Sequence, residues 1–228
     1  NTAVEGDIAE NLAAWRISAD ELTQTTYRHT LEVASPRLTE RRPWQVAAGL
    51  FVDPAGELLR LNEAMVRLHE KAIPWAGAAI RLEARDDGTL AVANQRGKLF
   101  CTFPLVDQAE VLPLHFNACF DLDSSRRQIS IDESVYAEAD QVRVAWNLAL
   151  LRHALPQAAA LAIAALVPVV AESSLGHFYA LWPDLTRIEE PWQTLHMALT
   201  ARLAELPLIR TRAAQELAWG PLLSSRLP

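Results

Sequence analysis

Cysteine is scarce. Only Cys101 and Cys119 occur in 228 residues, which excludes a disulfide framework and any CxxC metal pair. Both lie in apolar, strand-like runs, where a buried reduced thiol is the ordinary state. That pattern points to a reducing, cytoplasmic setting. Positive charge is also short: 21 Lys and Arg against 28 Asp and Glu leave a net charge of −7. This disfavours broad nucleic-acid binding, which needs cations to neutralise phosphates, and it disfavours an anionic membrane surface. Arg41-Arg42 and Arg126-Arg127 remain as local basic pairs. The longest apolar stretch, Ala158 to Ala171, is interrupted by Pro168 and is shorter than the ~20 residues of a membrane span. A buried helix is expected there. No secretory leader is legible, and an opening at Asn1 instead of Met is expected of a piece excised from a longer chain. No GxSxG, P-loop, Rossmann glycine pattern, HExxH or HxxEH is found.

What the chain does have is apolar mass. Half of its residues are hydrophobic and 21% are charged, enough for an ample core in one large or two small domains. Asp7 to Ile17 reads as a helix anchored by Leu12 and Trp15. Tyr27 to Val33 alternates, which predicts a half-buried strand. Ser35 to Pro43 reads as a polar loop, and Val46 to Val52 as a strand covered on both faces. Asp53-Pro54-Ala55-Gly56 predicts a turn. Leu58 to Ile73 is a helix buried through Leu58, Leu61, Met65 and Leu68. Ala78 to Glu83 and Leu90 to Ala93 form a hairpin around Asp86-Asp87-Gly88, and Lys98 to Phe103 a buried strand.

Leu112 to Leu122 carries the clearest alternation. Leu112, Leu114, Phe116, Ala118, Phe120 and Leu122 take one face, and His115, Asn117, Cys119 and Asp121 the other. A one-residue slip would expose the whole apolar set, so its register is firmly fixed. Gln141 to Leu155 is helical, with Trp146, Leu150 and Leu151 in the core and a break or kink at Pro156. Ala158 to Val167 continues as an alanine-rich buried helix. A further helix runs from near Ser173 to before Pro183, and Glu190 to Leu203 is amphipathic. Leu206 to Thr211 and Gln215 to Trp219 close the chain as a short hairpin.

The predicted fold is therefore α+β: a mixed sheet with packed helices, then a mainly helical part with a small terminal hairpin. The change of character falls near 135–140, which predicts a strand-rich unit over 1–138 and a helical subdomain over 139–228.

Polar chemistry concentrates on the strand at 112–122 and its exit. His115, Asn117, Cys119, Asp121 and Asp123 share one side, yet same-face neighbours on one strand rarely converge on one ion, so no metal site is assigned. Their simpler role is a polar face meeting solvent or another domain, joined by Ser124 and Ser125. Arg126 and Arg127 follow directly. Arginine offers a planar fork of donors and a permanent charge suited to phosphate or carboxylate, and such a residue supplied from a neighbouring domain can neutralise charge in phosphoryl transfer. Alternatives stay open: a plain protein-interaction module, a structural salt bridge at the arginines, or an independent hydrolase using His115 with Asp121 or Asp123. His69, His153, His177 and His196 read as surface or satisfied core residues.

Several ordered motifs carry a resemblance. Gly97-Lys98-Leu99-Phe100-Cys101-Thr102-Phe103-Pro104-Leu105 is followed by Leu112-Pro113-Leu114-His115-Phe116-Asn117 and by Phe120-Asp121-Leu122-Asp123-Ser124-Ser125-Arg126-Arg127. Together they are similar to the "FCFLPL" and "LPVHVNGxFALDSSRR" segments of the sacsin family. Trp146-Asn147-Leu148 with Leu150-Leu151 resembles its "WNxxLL", Phe178 to Pro183 its "FYxLWP", and Pro191-Trp192 with Leu206-Pro207-Leu208 its "PW…LPV". The match covers roughly 44–228. It departs at Ala118 and Cys119, where the family often has Gly after the Asn, and at Val106 to Val111, which lacks the usual "ETG".

The resemblance implies a parent with a nucleotide-binding domain of the GHKL class, as in heat-shock-90-type chaperones. That domain carries an Asn-bearing helix and a DxGxG loop. Asp86-Asp87-Gly88 lacks the second Gly, and Asn62 sits in an ordinary amphipathic helix, so the chain is expected downstream of the ATP pocket. By the same resemblance it is a catalytically silent coupling segment in a cytoplasmic protein-folding machine. It would hold no cofactor itself, with ATP and Mg in the parent, and Arg126 or Arg127 would reach the γ-phosphate. The implied partners are the preceding ATPase domain of the same polypeptide and protein clients, with no nucleic acid and no membrane.

Overall fold

A computed structural model describes residues 24–34, 39–70, 72–105, 113–131, 134, 137–170, 175–183, 192–213 and 216–221. The helix expected over Asp7 to Ile17 and the segment Val106 to Leu112 lie outside them. The architecture is α+β, as expected. A mixed sheet runs β1 (Thr25–Ala34), β2 (Thr39–Leu50), β3 (Trp75–Ala84), β7 (His115–Ala118), β5 (Leu99–Cys101) and β6 (Phe103–Pro104) in spatial order, with β4 (Leu90–Val92) also paired to β3. Among the described strands β5 and β7 pair in parallel and the other pairs are antiparallel.

Alternation along β2, β3 and β7 divides the sheet into two faces. Ala47, Ala76, Ala78, Ile80, Leu82, Phe116 and Ala118 point into the core. Arg42, Trp44, Val46, Trp75, Gly77, Arg81, His115 and Asn117 line an open cleft on the opposite face.

The helices cover the core face. α1 (Glu57–Arg67) starts where the Asp53 carboxylate accepts the backbone N–H groups of Glu57 at 2.9 Å and Leu58 at 2.8 Å, satisfying donors that a helix start leaves open. It stops six residues short of the expected Ile73, because His69 takes a left-handed φ of 60° and turns the chain out of the helix. α2 (Glu138–Ala149), a π-helical turn at Leu150–Ala154 and α3 (Leu155–Ala164) then form one continuous rod. Pro156 neither breaks nor ends it. The wider turn just before the proline takes up the carbonyl clash and the missing N–H. α3 lies against β3 and β2, and α5 (Trp192–Glu205) against α3. α4 (Leu175–Tyr179) and the hairpin β8 (Ile209–Ala213) with β9 (Glu216–Gly220) complete the described chain.

Three strand expectations are corrected. β1 forms, but all ten of its residues are exposed, because no layer covers it on either side among the described residues. β2 begins at Thr39, inside the expected Ser35–Pro43 loop, pairing with β1 as far as Thr39 opposite Ala34. It is buried on one face only, since the other floors the cleft. Lys98 to Phe103 is not one buried strand: Thr102 has a φ of 66° and folds the chain so that Cys101 pairs with Phe103. Phe103 stands 75% exposed.

One hydrophobic cluster draws on both sides of residue 138. Phe51, Leu58, Met65, Ile80 and Leu82 share it with Trp146, Leu150, Leu151, Phe178 and Leu199. Phe178 centres an aromatic group with Tyr179, Trp182 and Trp219 at 5.5–5.7 Å between ring centroids. The Tyr179 hydroxyl accepts the Arg210 N–H at 2.9 Å, so the Phe-Tyr-Ala-Leu-Trp-Pro motif fastens the terminal hairpin. No helix among the described residues is long and apolar enough to cross a membrane.

Candidate functional site

The chain leaves β7 through Cys119 and Phe120 into a loop closed by a bridge between Leu122 and Ile129. Asp123 organises its tip. Ser125 Oγ donates to both carboxylate oxygens at 2.9 and 2.7 Å, and the N–H of Arg127 donates to Oδ1 at 3.0 Å. The Gln128 N–H adds a longer bond of 3.3 Å. The Ser125 hydroxyl, then these backbone donors, hold the Asp123 carboxyl below its ordinary range.

Arg126 sits at the apex with a φ of 55°, a conformation costing a non-glycine residue roughly 1 kcal/mol. Both arginines are exposed, and neither guanidinium has an ion pair or hydrogen bond among the described residues. The structural salt bridge weighed for them is therefore not formed there.

The base of the loop is clasped from α2. Trp146 Nε1 donates to the Cys119 carbonyl at 2.8 Å. Asn147 Oδ1 accepts the Asp121 N–H at 2.8 Å. Its Nδ2 donates to the carbonyls of Asp121 and Ser130, each at 2.8 Å. Trp146 and Asn147 are fully buried. Two of the recognised motifs, Trp-Asn and Asp-Leu-Asp-Ser-Ser-Arg-Arg, are thus halves of one structure. Beside it, Arg143 pairs with Glu70 and with Asp140 at 3.2 Å, and stands 4.0 Å from Asp121. Burial pushes the Asp121 carboxyl up, and Arg143 only partly offsets it.

The expected interdomain face is not one surface. His115 and Asn117 look into the sheet cleft. Asp121, Asp123 and Ser124 line a separate cavity of about 410 Å³ with Arg143 and Asp140. Ser125 stands exposed at the loop tip. His115 therefore shares no cavity with Asp121 or Asp123 among the described residues, as a hydrolase built on them would need. His115 packs on Trp44 at 5.2 Å and edge-on to Phe100 at 5.7 Å; burial, then Lys98, depresses its pKa. Among the described residues no three His, Cys, Asp or Glu side chains form a group able to hold a metal. Cys101 and Cys119 are free and half-buried, and burial raises both thiols.

Asn62 serves the fold, since its amide donates to the Ala72 carbonyl at 2.6 Å from inside the core. Asp87 holds the hairpin turn through the N–H and hydroxyl of Thr89 at 2.9 and 2.6 Å. Sequence reading missed Arg143, Glu70 and the cleft residues Trp44, Arg42, Arg81 and Lys98. They meet only through strand pairing and helix packing, and no local spacing announces them.

Fold and loop together define a two-layer α+β unit that presents paired arginines on a carboxylate-centred turn. Over 207 residues the chain is 28% identical to human sacsin, a match covering 84% of this chain and 4% of sacsin. The resemblance carried by the motifs is thereby borne out, at the scale of a small segment of that much longer protein. No family model and no solved structure matches.

Proposed function

We propose that this chain is a catalytically silent coupling segment of a sacsin-like chaperone ATPase. In this reading it offers Arg126 or Arg127 to the γ-phosphate of ATP held with Mg in a preceding GHKL domain of the same cytoplasmic polypeptide. One observation supports it above the others. Two exposed guanidiniums, unpaired among the described residues, stand on a loop whose backbone is already fixed by Asp123 and Asn147. A donor that is positioned beforehand loses little freedom when an anion arrives, and that is the condition for stabilising charge that appears only during phosphoryl transfer. The similarity to sacsin supplies the context, and the role assigned to the arginines is an analogy at the level of fold.

The test uses the parent protein. Arg126→Ala and Arg127→Ala are made separately, and ATP turnover is measured. One of them is expected to lower turnover by about 10³-fold, the lower end for an arginine supplied to a transferring phosphoryl group. The 228-residue chain by itself is expected neither to bind nor to hydrolyse ATP. Unchanged turnover in both variants, or turnover by the isolated chain, defeats the reading. A change in partner binding with normal turnover would instead favour a plain interaction module.

A further inference from the structure

The sheet face turned away from the helices holds a cleft of about 850 Å³ across β1, β2, β3, β7 and β5. Its two ends differ. At one end Trp44 lies opposite Arg81 in the β2–β3 register, with Arg42 two residues further along β2; Lys98 lines the cleft from beside β7, level with His115. At the other end Ala48 lies opposite Gly77, and the Trp75 ring comes within 3.3 Å of where a Gly77 Cβ would stand. The missing side chain lets the indole lie down on the sheet. Four residues of strand separate Trp44 from Ala48, about 13 Å at ~3.3 Å per residue.

Charge reinforces the asymmetry. The chain carries −7 overall, yet among the described residues no Asp or Glu lines this cleft. Glu40, outside the lining, takes Arg42 at 2.7 Å and Arg81 at 3.4 Å. Lys98 is exposed and has no ion pair among the described residues. Among the described residues three cations therefore accompany one carboxylate. Four polar atoms around this cleft are shielded from water and lack partners among the described residues: Trp44 Nε1, His115 Nδ1, and Nε of Arg42 and Arg81. Unsatisfied buried polar atoms are uncommon in folded proteins, and four of them on residues lining one cleft call for polar partners there.

We propose that this cleft docks an extended acidic peptide segment of another protein. Its carboxylates pair with Lys98 and with Arg81 and Arg42, and its apolar side chain, about four residues along, covers Trp75. The separation of the two ends favours a chain over a small carboxylate, which can occupy only one of them. The site is independent of the Arg126–Arg127 loop.

The probe is a fluorescein-labelled peptide with two Glu followed, three residues on, by Leu and Phe. It is titrated into the 228-residue chain at low ionic strength. Binding is expected to exceed that of the same peptide with Lys for Glu by at least about tenfold, and Lys98→Glu should weaken it by a similar factor. Lys98 is exposed, and circular dichroism checks that this variant folds. In the unaltered chain the Trp44 indole N–H resonance should move on titration, a readout that needs no variant. Arg126→Ala should bind the peptide normally. Equal binding of the Lys peptide, an unaffected Lys98→Glu variant, or a stationary Trp44 resonance under saturation would overturn the proposal. So would full displacement by millimolar benzoate, which would make this a small-carboxylate site.

Discussion

At the scale of single residues, His196 bears most directly on pH. It is fully buried on α5, and neither ring nitrogen has a partner among the described residues. Burial alone depresses its pKa to about 4. Between pH 6.5 and 4 the unfolded chain binds a proton that the native imidazole refuses, so stability falls as pH drops through that window. His196→Leu should flatten the fall by on the order of 3 kcal/mol, read from urea midpoints at pH 7 and pH 4.5. His115 is shifted the same way, so part of the slope should remain. Asp53 acts in a different window. Burial opposes its charge, but the N–H groups of Leu58 and Glu57 outweigh that and lower its pKa, so its contribution is lost only as pH falls below the ordinary carboxylate range. His196 read as an ordinary helix histidine in the sequence, because nothing local distinguishes a buried imidazole from a surface one.

Among the elements, the clasp between α2 and the loop after β7 is the most specific. Asn147→Leu keeps the branched shape but leaves the Asp121 N–H and the Ser130 carbonyl without partners, and the Asp121 carbonyl with only the longer bond from the Ser130 N–H at 3.3 Å. A loss of roughly 2–4 kcal/mol is expected. Amide exchange should rise at Asp121 more than in β3, and uniform acceleration along the chain would contradict the clasp. Much at this scale was legible beforehand. The alternation from Leu114 to Phe120 holds residue for residue, because period two is imposed by the pleat. Trp146, Leu150 and Leu151 are core, as their helical spacing implied. What misled was backbone geometry without a sequence mark. Left-handed conformations at His69 and Thr102 carry no glycine to announce them, and the π-helical turn hid behind a proline that normally ends a helix. The exposed β1 misled for another reason: alternation records which residues are apolar, not whether a second layer exists to cover them.

Across the whole molecule, the change from strands to helices near residue 138 is real in composition, yet one cluster joins Leu58 and Ile80 to Trp146 and Leu199. Thermal or urea unfolding is therefore expected as one transition, coincident by tryptophan fluorescence and far-ultraviolet circular dichroism. Two resolved transitions would mean that the halves stand independently. The two candidate faces were unequally readable. The arginine loop is contiguous in sequence and was recognised with its neighbours. The cleft is assembled from five strands spread between residues 25 and 118, and only their pairing brings its cations together.

The seam between the layers is thin. α3 brings Ala158, Ala159 and Ala162, and the strands beneath it bring Ala47, Ala76 and Ala78. Such small side chains let helix and sheet approach closely at these positions, so a longer one introduced there has little space to enter. The rod therefore sits low against the strands that floor the cleft, and at its other end Asn147 holds the turn that bears the arginines.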